Sequence, residues 1–152
     1  MLTYDNRTRL PIADNEIDPF ARELPTKKEV MEALSPMILS ASGWRKVFAK
    51  SGDEEDKTSL ITHADAVLVA YAALILCEHL LSSNPTPTVL VGVDTRPTGP
   101  TIADIAIRMF LARKIKVRYL FITAAPEIMA YSLRGEERSD AFFYISASHN
   151  PI

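Results

Sequence analysis

Cysteine is almost missing from this chain: its 152 residues include one, Cys77, set inside an apolar run. A disulfide framework is therefore excluded, zinc has no ligand set to bind, and a reducing compartment fits this usage best. An excess of charge is missing too. Seventeen Lys and Arg stand against nineteen Asp and Glu, a formal net charge of −2. No global electrostatic footprint for nucleic acid results, although a local basic pocket is compatible with this balance. The first nine residues lack the apolar stretch of a secretory signal, and the expectation is a cytoplasmic protein. No apolar run reaches the roughly twenty residues that a bilayer demands. The nearest, residues 66–77, is preceded by Asp65 and followed by Glu78 and His79. It reads as a core helix, and no membrane partner is expected. His63 and His79 have no partner at metal-ligand spacing. The acidic run Asp53-Glu54-Glu55-Asp56 reads as a solvated face. Internal repeats and low-complexity tracts are absent.

What is present is an ordinary globular composition, 47% apolar and 24% charged, in a chain long enough for one domain with a proper core. Residues 1–25 are polar, hold three prolines (Pro11, Pro19, Pro25), and read as an irregular N-terminal arm. The domain proper is placed at 26–152. Thr26 followed by Glu29 is a capping-box pattern that opens a helix through about residue 37, with Pro36 marking its end. Residues 40–49 suggest a turn running into a short strand. Thr62 caps the apolar helix, which extends to about residue 81, where Asn84-Pro85 and Thr86-Pro87 stop it from continuing. Val67, Leu68, Tyr71, Leu74 and Ile75 are expected to pack inside the domain or at its boundary. Because that helix is apolar nearly all round, an uncovered side would make the isolated piece self-associate.

Val89-Leu90-Val91-Gly92-Val93 is a continuous apolar strand of the kind covered on both faces. A loop at 94–100 leads into a helix over about 101–113, a strand at 116–122, a helix opened by Pro126, and a last strand at 140–145. Helices alternating with buried strands predict an α/β fold: three layers, α/β/α, around a mostly parallel, mixed sheet. Ligands gather at the carboxyl ends of strands in such sheets.

Three motifs carry chemistry. The last strand delivers Ser146-Ala147-Ser148-His149-Asn150-Pro151 onto a loop. Serine needs a base, a metal or prior phosphorylation to act. His149 is badly placed to serve its own neighbour, since adjacent residues on an extended loop point to opposite sides. No glycine pair flanks Ser148 as a nucleophile elbow requires, so a hydrolase is disfavoured. The second motif, Gly92-Val93-Asp94-Thr95-Arg96-Pro97-Thr98-Gly99, lies between a strand and a helix. It would place Arg96 and free backbone N–H groups where an anion can rest. The third is Ser40-Ala41-Ser42-Gly43-Trp44-Arg45; by itself a Trp-Arg pair at a strand edge is packing plus a solvated charge.

In this order the motifs resemble those of the α-D-phosphohexomutases (phosphoglucomutase, phosphomannomutase and relatives): T-[AS]-S-H-N-P, G-x-D-x-R-x-[ST]-G and G-T-[SA]-G-x-R. Ser40 and Ala41 replace the usual Gly and Thr, and Lys46 stands where many members have glycine and some have lysine. The resemblance spans residues 40–152, the family's first domain. It implies a phosphotransferase-type isomerase, interconverting hexose 1-phosphate and 6-phosphate through a phosphoserine and a bisphosphate. Ser148 would carry the phosphoryl group, Arg45 and His149 would act catalytically, and Arg96, Asn150 and Ser42 would hold substrate or phosphate. It implies Mg2+, bound here through the phosphate of Ser148 and otherwise by a loop this sequence lacks, and a hexose bisphosphate activator. The partners implied are a hexose phosphate and C-terminal domains missing here, so that residues 1–152 alone are expected to be inactive. The loops of Arg45, Arg96 and Ser148 are expected to converge at one end of the sheet. The alternative is a non-catalytic anion-binding or interaction module on the same scaffold.

Overall fold

The computed structural model describes residues 1–135 and 138–146. Its first element is not irregular. Strands β1 (Leu2–Tyr4) and β2 (Pro11–Asp14) pair antiparallel, and Ala13 joins the main core at 1% exposure. The Met1 ammonium donates to Asp14 Oδ1 at 3.0 Å. Polar composition hid this hairpin because one alanine and its neighbour Ile12 suffice to seat it.

Helix α1 (Lys27–Leu34) opens on the expected capping box: the Glu29 N–H donates to Thr26 Oγ1 at 3.3 Å, and the Thr26 N–H donates to Glu29 Oε2 at 2.7 Å. It ends before Pro36: Ser35 keeps helical φ −52° and ψ −43° and still donates to the Met31 carbonyl, but the proline that follows has no N–H to continue the ladder. Next comes a hairpin of β3 (Ile38–Ser40) and β4 (Gly43–Arg45), turned by Ala41 and Ser42. The sequence suggested a turn and one strand; β3 is the strand it did not show. Gly43 has φ +142°, which L side chains rarely adopt.

Helix α2 (His63–Leu81) is capped by Thr62, whose Oγ1 accepts the Asp65 N–H at 3.1 Å. It is long and apolar enough to cross a membrane by length and composition. Val69, Ala70, Ala73 and Cys77 instead lie in the protein core. Val67 is buried and Leu68 and Leu74 partly so, but Tyr71 and Ile75 are exposed, so the expected packing fails on that side. A helix apolar all round has more apolar surface than one neighbouring layer can cover.

Strand β5 (Thr88–Val93) is central, with β6 (Lys116–Ile122) on one side and β7 (Ala141–Ile145) on the other, all parallel. The expected α/β class and layering are found, with the antiparallel pairs confined to the two hairpins. Helix α3 (Gly99–Ala112) covers one face, where Val89, Val91 and Val93 meet Ile102, Ala106 and Phe110, and α2 packs on α3. Helix α4 (Ala125–Ser132) covers the other. There Gly92 is required by close approach, since a Cβ would stand 2.5 Å from Thr123 Cγ2 and 3.0 Å from Ile128 Cδ1. Strand β6 carries one extra residue opposite Val91–Val93, with Phe121 at φ +57°, the signature of a bulge.

Candidate functional site

Parallel pairing decides where the loops emerge. Val93 lies opposite Ile145, and the Asp94 N–H donates to the Ile145 carbonyl at 2.9 Å. The 94–98 loop and the chain beyond β7 therefore leave the sheet side by side at its carboxyl edge, where ligands of parallel sheets bind. The β3–β4 hairpin faces that edge across a cavity of about 1210 Å³, lined among others by Trp44, Arg45, Asp94, Arg96, Tyr144 and Ser146.

Arg45 is half-buried, and its Nη2 donates to Ser42 Oγ at 3.2 Å. Ser40 Oγ donates to the Gly43 carbonyl at 2.8 Å. The serine at position 40, where the family usually has glycine, thus braces the hairpin turn. Among the described residues Arg45 forms no ion pair. A half-buried guanidinium with a neutral partner, facing a cavity, is suited to an anion.

Arg96 is exposed, with Nε 3.9 Å from Asp94 Oδ2. Asp94 organises the loop by accepting the Arg96 N–H on Oδ1 at 3.0 Å. The free backbone donors expected here are fewer than the sequence suggested. Gly99 N–H is bonded to the Arg96 carbonyl at 3.1 Å, Pro100 has none, and Thr98 makes no side-chain cap. Anion binding at this loop therefore rests more on the guanidinium than on the helix terminus.

The structure thus brings Arg45, Ser42 and Arg96 to the cavity region and places Ser146 at the same wall. Ser148, His149 and Asn150 lie outside the described residues. The turn from β6 into α4 is fixed by Glu127, which accepts from Thr123 Oγ1 at 2.7 Å and from the Ala124 N–H at 3.3 Å. These hydrogen bonds, that from the Thr123 hydroxyl first, hold the Glu127 carboxyl below its ordinary range. Tyr144 Oη donates to the Thr123 carbonyl at 2.8 Å, tying the last strand to the same loop.

Lys46 is a residue that motif reading leaves as a mere variable position. Its side chain is 5% exposed, ion-paired with Asp65 at 6%, and it donates to the Ala33 carbonyl at 2.7 Å. A lysine leading into Val47 and Phe48 was the available signal, because a cation entering an apolar stretch needs a buried partner. Among the described residues no three His, Cys, Asp or Glu side chains gather to hold a metal. The described residues alone do not make a magnesium site.

Comparison with known proteins agrees with this arrangement. Residues 37–152 match the family described as phosphoglucomutase/phosphomannomutase, alpha/beta/alpha domain I. A phosphoglucosamine mutase of Lactiplantibacillus plantarum is 37% identical over 78 residues, 51% of this chain and 17% of that protein. A namesake in Lacticaseibacillus casei gives the same figures. One from Leuconostoc mesenteroides is 38% identical over 77 residues, 51% of this chain and 16% of its own. The alignment thus spans about a sixth of the length of these curated relatives. No solved structure gives a significant match. By its α/β/α layering, the placement of its motifs and the match over residues 37–152, the chain belongs to the α-D-phosphohexomutase family, as a first domain.

Proposed function

We propose that this chain is the serine-bearing domain of a longer phosphohexomutase that moves a phosphoryl group between the 1- and 6-positions of a hexose phosphate. The observation that carries the reading is Arg45: half-buried, paired with a hydroxyl alone among the described residues, and set on the same cavity as Arg96 and the exit of β7.

In this reading Ser148 carries the phosphoryl group. A sugar hydroxyl attacks its phosphorus, the P–O bond to Ser148 breaks, and a bisphosphate forms. The hydroxyl proton is taken up by a base and the serine oxygen is reprotonated; His149, whose imidazole can take up or give a proton, is assigned to the sugar side of the transfer, since it is badly placed to serve Ser148 itself. After the sugar reorients, its other phosphate returns to Ser148 by the reverse step. The transition state spreads charge over three oxygens, so positioned cations supply much of the catalysis. Arg45 is assigned to the transferring phosphoryl group, and Arg96 with Ser42 and Asn150 to bracing phosphate and loop. The relatives' name favours glucosamine phosphate as the hexose. Magnesium and a bisphosphate activator belong to the longer protein, as do the segments that would hold the sugar's far end. The proposed division is an arm at 1–25 and the domain at 26–152, in a cytoplasmic enzyme.

The test is a coupled assay of the protein with its native downstream sequence. Glucosamine phosphate and glucose phosphate are supplied with magnesium and a bisphosphate primer, and phosphopeptides are mapped. Turnover, a phosphate on Ser148, and total loss of turnover in Ser148→Ala are expected. Residues 1–152 alone should not turn over, because positioning needs the substrate held at both ends. Full activity in Ser148→Ala would end the phosphoserine reading, and phosphate binding without turnover by the longer protein would favour a binding module.

A further inference from the structure

The β3–β4 hairpin that carries Arg45 has little apolar seating of its own. Ile38, Leu39 and Trp44 are all exposed, and a two-stranded ribbon of three-residue strands is not stable in isolation. Its firm attachment is the next residue. Lys46 Nζ reaches the Ala33 carbonyl near the end of α1 and the Asp65 carboxylate in the first turn of α2. Asp65 Oδ2 in turn accepts from Thr62 Oγ1 at 2.8 Å, the hydroxyl that caps α2. The Lys46 ammonium also lies 5.7 Å from the centre of the Phe48 ring. One ammonium thus joins the hairpin's exit to α1 and α2. Seating Lys46 against α1 and α2 fixes the backbone immediately after Arg45, and with it the end of β4 from which the Arg45 side chain springs.

We propose that Lys46, through its buried pair with Asp65, is a positioning residue that fixes the direction of Arg45 in the site. The inference rests on the proposed role of Arg45. It assigns Lys46 no contact with substrate. Both charges are almost fully buried, and breaking such a pair by removing one partner strands the other charge in the interior. The hairpin is then the element free to move, since the sheet and α3 hold together without it.

Two measurements separate the anchor from the chemistry. Trp44 is the sole tryptophan among the 152 residues and sits beside Arg45, so its fluorescence reports the hairpin directly. In this chain, Lys46→Met and Asp65→Asn should raise acrylamide quenching of Trp44 while far-ultraviolet dichroism from the helices is retained. In the longer protein, Lys46→Met should lower kcat about 100-fold, the cost of a small misplacement of a catalytic group, with KM changed less than about 3-fold. Lys46→Arg should recover most of that loss. The double variant Arg45→Ala/Lys46→Met should be no slower than Arg45→Ala alone, because residues acting as a unit are not additive. Unchanged Trp44 quenching in a folded Lys46→Met or Asp65→Asn chain would overturn the anchor whatever the enzyme does. Additive losses in the double variant would overturn the link to Arg45. If wild type has no mutase activity, the functional reading fails while the fluorescence still decides the anchor.

Discussion

Strand β5 and the β3–β4 hairpin are built from similar residues and meet opposite fates. Val89, Leu90, Val91 and Val93 are at most 2% exposed, whereas Ile38, Leu39 and Trp44 are 62%, 57% and 48% exposed. The difference is one of neighbours. Strand β5 has a partner on each edge and a helix layer on each face; the hairpin has two strands of three residues and no third. The first arrangement removes apolar surface from water at about 25 cal/mol per Å². The second gains little from burial and relies on an ion pair, whose net contribution to stability is small. Stability is therefore concentrated in the sheet, while Arg45 is carried by an exposed hairpin beside it. Sites commonly divide labour this way, with a rigid scaffold presenting less stable elements.

The sharpest way to break this comparison is to damage the core. Phe110 is fully buried and packs edge-on against Phe143 with ring centres 5.7 Å apart. Phe110→Ala should destabilise the domain by about 3–5 kcal/mol, as other core aromatic truncations do, read by urea denaturation. A cost near that of a surface change would show that α3 is not central to the core.

Arg45→Ala should do the converse. In the longer protein, loss of a transition-state contact of this type costs ~10²–10³-fold in kcat, while the denaturation midpoint should hardly move because the side chain forms no ion pair among the described residues. A large stability loss with normal turnover would reverse the assignment.

A smaller effect is expected at the amino edge of the sheet, opposite the cavity. Asp140 accepts the Thr88 N–H at 2.7 Å and Asn84 Nδ2 at 2.9 Å. These bonds, the Thr88 one first, lower its pKa below 3.8. A carboxylate with a depressed folded pKa stabilises the fold above its unfolded pKa and loses that contribution as pH falls through the folded value. Asp140→Asn should therefore lower Tm at neutral pH, and the gap to wild type should narrow as pH falls below 3.8. A gap that widens with acid would contradict the geometry.

The smallest change expected is Trp44→Ala. The ring is half exposed, so stability should move within about 0.5 kcal/mol, measured by the same denaturation. A loss of several kcal/mol would mean that the hairpin is seated by apolar packing after all, and the contrast with β5 would collapse.

Wherever local rules act alone, the sequence was legible. The Thr26–Glu29 box and the Thr62 cap start α1 and α2 where expected, and the β6 bounds of 116–122 agree to the residue. Capping oxygens, prolines and apolar runs need no distant partner to exert their effect. Arg45, Ser42 and Arg96 stood out as motif residues, and the expected meeting of the Arg45 and Arg96 loops is found at one cavity; Ser148, His149 and Asn150 lie outside the described residues.

What the sequence did not reveal depends on partners far along the chain. The polar arm became the β1–β2 hairpin because α3 offers Ala13 a place in the core. Tyr71 and Ile75 stayed largely outside because α3 and the core take the opposite side of α2. Lys46 looked like an exchangeable cation until Asp65, nineteen positions away, and Ala33 met it in the interior. By itself the sequence determined the four helices, the three strands of the sheet and their order, because propensity, capping and turn signals act over a few residues. The tertiary structure alone decided which apolar residues are buried and which charges are neutralised, because burial and ion pairing are set by what the rest of the chain brings within a few Å.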